Sequence, residues 1–302
     1  MGYRETASSV VDVLAMLVQA IIETVVDFVT DVIESIGNSI QLGLSALGNK
    51  AGSVGGGILK WLGGVFAGIT NLLAAIVKVI AAVPAGAAGG LIRIIGGAIA
   101  ATPSMMLKGL VDISSGLIGP VIVAVGHAWS LVQRIFYLQS FERSLTKAEE
   151  DELSKVFNHS LALYNIRLIE GWSGLFGVNE RPFTLGNTIY MKGDKTLHTL
   201  VHECTHVWQY QHLGVRYTMD ALGAQMVYGN DAYRWQEELA TRGKTHWIDF
   251  NKEAMAQVIE DMYKANCFAS DPPASFGSNA VLGAGAVKSL RRRISFRLSQ
   301  FV

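Results

Sequence analysis

The stretch TLHTLVHECTHVWQYQH, residues 196–212, decides how this chain is read. It holds no Pro or Gly, and Leu200, Val201, Val207 and Trp208 give it an apolar side, so it is predicted to be a helix with one face to bury. Within it, His202-Glu203-Cys204-Thr205-His206 spells H-E-x-x-H. Two histidines four apart on a helix point the same way and can share one metal ion, and the glutamate between them can reach a water on that metal. Zinc held by two histidines and a carboxylate keeps a position open and supplies a hydroxide near neutral pH. The expectation is therefore a zinc hydrolase, with His202 and His206 as ligands and Glu203 as general base. The plainer alternative is a buried helix with two hydrogen-bonded histidines. Cys204 falls on the far side and is not counted as a ligand. His198, one turn before His202, shares the ligand face, either as a residue behind the ligands or as an exposed histidine.

Around this helix the composition is uneven. The chain has 302 residues, 50% of them hydrophobic and 17% charged, with a formal net charge of zero. Balanced charge argues against nucleic acid as a partner. Residues 1–140 carry seven basic and seven acidic side chains, whereas 141–302 carry eighteen of each. This shift suggests a hydrophobic Gly-rich helical region over 1–140, a metal-site domain over 141–267, and a linker with a basic tail over 268–302. The two cysteines, Cys204 and Cys267, do not suggest a disulfide framework. The opening MGYRETASS lacks the pattern of a secretory signal, so the expected route out of the cell is one without a cleaved signal. Gly2 and Thr6 fit the myristoylation pattern.

Residues 8–35 read as one amphipathic helix in which Glu23, Asp27, Asp31 and Glu34 recur as an acidic stripe. Apolar, Gly-rich stretches follow at 61–77, 80–92 (broken by Pro84), 94–106 and 113–133, punctuated by Lys60, Lys78, Arg93 and Lys108. Only 113–133 reaches spanning length without a charge. The recurrent small residues let helices approach closely, as in membranes, and each Gly costs up to about 1 kcal/mol of helix stability relative to Ala in water. Membrane-inserting hairpins in contact with lipid are preferred; a soluble bundle, shielded by a chaperone or other partner, is the alternative.

Beyond residue 140, Thr146 and Glu149 have capping-box spacing ahead of a helix. NIRLIEG reads as a short strand, and FTLGNTIYMKG supplies a second, roughly Thr188 to Lys192, just upstream of the metal-site helix. In zincins that position is a sheet edge that can hold an extended peptide by strand addition. The tail SLRRRISFRLSQFV, with Arg291, Arg292, Arg293 and Arg297, is a basic amphipathic segment suited to an anionic membrane surface or to capping the domain.

FTLGNTIYM, LVHECTHVWQYQ and FNKEAMAQVIEDMY together resemble the bacterial zincin-like proteins described as Rhs- or Vgr-related, similar in turn to metallopeptidase domains found near contractile injection systems. The resemblance covers roughly 145–265 and has no counterpart for 1–140. It implies Glu253 as the third zinc ligand, although Ala254 and Met255 stand where the family is Gln-rich. Glu237 or Glu238, in WQEELATRG, is the alternative. Tyr233 resembles a tyrosine the family keeps, suited to binding a developing oxyanion or to packing. The whole implies an α+β chain: apolar helices followed by a zincin-like metallopeptidase domain. Its function would be that of a toxin or effector acting on a protein or peptide and delivered by a secretion apparatus. The alternatives are a pore-former with an auxiliary zincin domain, or an inert component of a secretion particle.

Overall fold

The computed structural model describes residues 3–178, 181–214 and 217–291. Gly2 of the myristoylation pattern and the tail beyond Arg291 lie outside the described residues. Three long helices come first: α1 (Tyr3–Lys50), α2 (Ser53–Ile99) and α3 (Pro103–Ile135). They differ from the expected series of short stretches in a physically informative way. Helix α2 runs through Lys60, Lys78, Pro84 and Arg93 without ending. Charges inside an apolar run usually mark exposed ends, but Lys78 and Arg93 are buried and find partners on neighbouring helices. Arg93 pairs with Asp12 of α1 at 2.8 Å and with Asp112 of α3. Pro84 removes one hydrogen bond, yet α1 and α3 pack along α2 on either side and hold it. Close packing depends on small residues: a Cβ on Gly86 would lie 2.9 Å from the Cα of Gly116.

All three helices, rather than 113–133 alone, are long and apolar enough to cross a membrane by length and composition. They form a layer with α2 in the middle and two unlike faces. On α1, Glu34, Asn38 and Gln41 are buried, whereas Val32 and Ile36 are exposed. On α2, Lys78 is buried, while Phe66, Ile69, Leu73, Ile76, Ile80 and Val83 recur at helical spacing as an exposed stripe. Residues two apart on a helix point about 200° away from one another, so the polar side chains and this apolar stripe occupy opposite faces.

The polar face is covered by the rest of the chain. Helix α4 (Lys147–Phe157) opens on the expected capping box of Thr146 and Glu149. Three short strands follow: β1 (Arg167–Ile169), β2 (Phe183–Leu185) and β3 (Thr188–Tyr190). Their order is β1-β3-β2, with β1 parallel and β2 antiparallel to β3. The strand expected at the edge, β3, is therefore central, and β2 takes the edge. Then come α5 (Leu197–Leu213), α6 (Tyr217–Tyr228), α7 (Trp235–Ala240), α8 (Lys252–Lys264) and α9 (Ala280–Leu290). Helix α9 falls in the stretch expected to be linker: Leu282, Ala286 and Leu290, at i, i+4 and i+8, pack into the core.

Alternation along the strands divides the sheet between two cores. Leu168 and Ile189 face α4, α5 and α8, whereas Ile169, Leu185 and Tyr190 face Ala75, Ala82 and Val123 of the helical layer. Residue 140 thus separates compositions but not packing. Buried polar contacts join the two parts. Tyr190 donates to Ser130 at 2.8 Å, Tyr210 donates to Glu34 at 3.1 Å, and Lys78 donates to Tyr210 at 2.5 Å. Asn187 completes this group by donating to Glu34.

Candidate metal centre

Helix α5 is almost wholly buried from Leu200 to Gln211, which a helix of this polarity tolerates only if its polar side chains find partners. They do. His202 and His206 project from one side, while Cys204 points into the core opposite and its thiol is pushed up by burial. Helix α8 lies across α5, its N-terminus fixed by Asn251, whose side chain accepts from the backbone N–H groups of Glu253 and Ala254 at 3.0 Å each. This presents Glu253 to the histidines. Its Oε2 lies 3.2 Å from His206 Nε2 and 3.6 Å from His202 Nε2. Among the described residues, His202, His206 and Glu253 are the one group of three able to hold a metal ion, with ligand atoms within 4.8 Å of one another.

Glu237 and Glu238 do not join them. Glu237 pairs with Arg234 at 3.2 Å, and Glu238 is buried against Lys244 and Asn251 at 2.7 Å each.

The residues present fit zinc on three counts. Ligand atoms in a tetrahedral site with bonds of 2.0–2.1 Å are about 3.3 Å apart, close to the observed 3.2 and 3.6 Å. The outer nitrogens of both rings are also engaged: His202 Nδ1 with Glu260 Oε2 at 3.0 Å, and His206 Nδ1 with Gln209 Oε1 at 2.8 Å. Gln209 Nε2 donates to the Lys252 carbonyl at 2.9 Å, which fixes the amide's orientation. Each Nδ1 therefore meets an outward acceptor while each Nε2 is turned toward Glu253, the orientation in which metal-ligating histidines are held. Finally, three carboxylates surround the two rings. Burial alone would lower the His202 pKa, but the hydrogen bonds it donates to Glu253 and Glu260 hold it up at about 10. Burial would raise Glu253, yet His206 and His202 hold it well below the usual carboxylate range. So strong a draw on positive charge is what a divalent cation satisfies.

Glu203 stands apart from this pairing. Burial pushes its pKa up, partly opposed by His206 and His202, and Thr184 of the edge strand donates to its Oε2 at 2.8 Å. Tyr233 lies with its ring 6.0 Å from that of His202. Gln225 bridges to it, donating to the Tyr233 hydroxyl at 3.1 Å and to Glu253 Oε1 at 2.7 Å. Burial first, then the Glu253 charge, raise the Tyr233 phenol to about 12, so it remains a hydrogen-bond donor at neutral pH. All five expected site residues, His202, Glu203, His206, Tyr233 and Glu253, line one cleft of about 420 Å³.

The chain matches no protein-family model, no curated protein and no solved structure.

Glu260, Gln209, Gln225 and Thr184 were not foreseen from sequence. Two carried a signal: Glu260 is seven residues after Glu253, on the same face of α8, and Gln209 is three after His206. Glu260 also holds His198 at 3.1 Å, so that histidine is one residue removed from the cluster. Glu260→Gln is expected to weaken zinc binding by roughly 10–100-fold, the usual cost of losing a partner behind a ligand. Competition against a chromophoric chelator measures this, and unchanged affinity would mean that Glu260 does not orient His202.

Proposed function

We propose that this chain is a zinc metallopeptidase whose apolar helical layer associates with a membrane. The observation that carries the enzymatic half is the pair of inward-facing Nε2 atoms on Glu253, beside a buried Glu203 free of that pairing. Zinc at such a site, when bound, polarises a peptide carbonyl and makes a water a competent nucleophile. The chain's own residues do the rest. Glu203, its pKa raised by burial, accepts a proton within the cleft and returns it to the departing amine. Thr184 keeps the Glu203 carboxylate aimed, and the Tyr233 hydroxyl offers a hydrogen bond to negative charge developing on the substrate. The edge strand β2 gives the substrate backbone a partner, a role expected of β3. Delivery as a bacterial effector or toxin by a secretion apparatus rests on the family resemblance of 145–265.

Glu203→Gln is expected to keep stoichiometric zinc while peptide hydrolysis falls by about 10²–10⁴-fold, the scale of lost general acid–base catalysis. Hydrolysis at the wild-type rate by this variant would overturn the assignment.

The membrane half is supported by the uncharged outer stripe of α2. Ile80 is 68% exposed on that stripe, whereas Val123 is 1% exposed against the sheet. Ile80→Asp is therefore expected to weaken binding to lipid vesicles, since a carboxylate in the hydrocarbon costs about 2.5–3.5 kcal/mol on insertion scales. Val123→Asp is expected to impair folding instead. Vesicle flotation with a parallel thermal melt separates the two. Flotation of Ile80→Asp equal to wild type would exclude this face from lipid.

A further inference from the structure

The cleft is not built from the metal-site elements alone. Ile122 and Gly126 of α3 form part of its wall, together with Ala221 and Leu222 of α6. A helix of the apolar layer is thus a structural part of the site. The lining also includes the polar side chains of Arg181, Gln257 and Glu260.

The apolar lining does not stop at the cleft mouth. Along α3, Ile122 is flanked by Val121 and Val125, the latter 64% exposed. Along α6, Leu222 is followed one turn later by Met226 and Val227, which are 87% and 73% exposed. No charged residue follows Asp220 in α6, and none lies between Asp112 and Arg134 in α3. Uncharged side chains of α3 and α6 therefore line part of the cleft and also the exposed surface beside it. Water-soluble substrates need no such lining, whereas apolar side chains crossing from hydrocarbon do.

We propose that the cleft takes an apolar segment of a membrane-embedded protein, entering past Ile122 and Leu222 where α3 and α6 meet. This rests on the metallopeptidase reading above and names its substrate class. Ile122 and Leu222 are then specificity residues, favouring a large apolar side chain beside the bond to be cut.

The test uses the full chain in phosphatidylcholine–phosphatidylglycerol vesicles, carrying Glu203→Gln so that bound peptide stays intact. Met226→Cys supplies the attachment point for a benzophenone photocrosslinker; Cys204 and Cys267 are buried and resist labelling. The probe is a synthetic Leu/Ala membrane-spanning helix with a short Leu- and Phe-rich extension, compared with the same extension free in solution. Crosslinking to the anchored extension is expected to exceed that to the free one at least tenfold, and to fall by a similar factor with Ile122→Asp. If that variant fails to fold, Val125→Asp, on the exposed surface, takes its place. Equal crosslinking of free and anchored extensions, crosslinking to lipid alone, or indifference to both substitutions would overturn the proposal. If the anchored extension crosslinks as expected but the zinc-loaded wild-type chain leaves it uncut, the entry route stands and the peptidase reading falls.

Discussion

His206→Ala should emerge from gel filtration without stoichiometric zinc. The site offers three donor atoms, and an open catalytic site has no spare ligand to make up a loss. Removing the ring also leaves the Gln209 oxygen without its donor, 2.8 Å away in the intact protein, and Glu253 with one histidine, His202 at 3.6 Å. The loss should therefore far exceed the roughly 10–100-fold that follows from disturbing a supporting residue. Glu253→Ala should behave similarly, while Glu237→Ala should bind zinc like wild type, because Glu237 is engaged with Arg234 and Thr241. Elemental analysis of the purified full chain reads all three. Full occupancy in His206→Ala, or a greater loss in Glu237→Ala than in Glu253→Ala, would refute the ligand set.

A second large effect is expected far from the metal. Lys78 is 4% exposed and Glu34 2%, with Tyr210 between them. Lys78→Ala would leave the Glu34 carboxylate buried with no cation, and breaking a buried pair in this way costs about 3–5 kcal/mol. Exposed Lys50→Ala should stay within about 0.5 kcal/mol of wild type. The double variant Glu34→Leu/Lys78→Leu should recover much of the loss, since it removes the charge left stranded by the single change. Chemical denaturation of the full chain in detergent measures each. A neutral Lys78→Ala would show that the layer and the metal-site elements are not joined through this group. Because Tyr210 sits one turn beyond His206 on the same helix, the loss should be accompanied by weaker zinc binding.

These two sites differ in how far the sequence alone reveals them. The metal-site helix is legible because its information is local: histidines four apart, no helix breaker, and an apolar side. Spacing does not reveal Glu253, since 47 residues separate it from His206 and only the packing of α8 on α5 brings them together. The Glu34–Lys78–Tyr210 group is not legible. Its members come from three helices, and the acidic stripe of α1 reads equally well as a solvated face until the docked elements are seen covering it. The same holds for Arg93, whose partners Asp12 and Asp112 lie on two other helices. Lysine and arginine punctuate an apolar sequence as loops would, and only tertiary pairing makes a single 47-residue helix of that stretch. The FTL of β2 is not read as a strand in the sequence, and without it β3 stands at the edge of the expected sheet.

Under the proposed function, the two-faced helical layer would change how a target is found. A cleft carried on the back of a lipid-bound slab would search a surface instead of a volume. Confinement raises the effective concentration of any co-resident chain in the way that tethering does, without a new contact. On that proposal address substitutes for affinity: a catalyst recognising little more than one greasy side chain would still cut selectively, because only neighbours in the same bilayer would be presented to it.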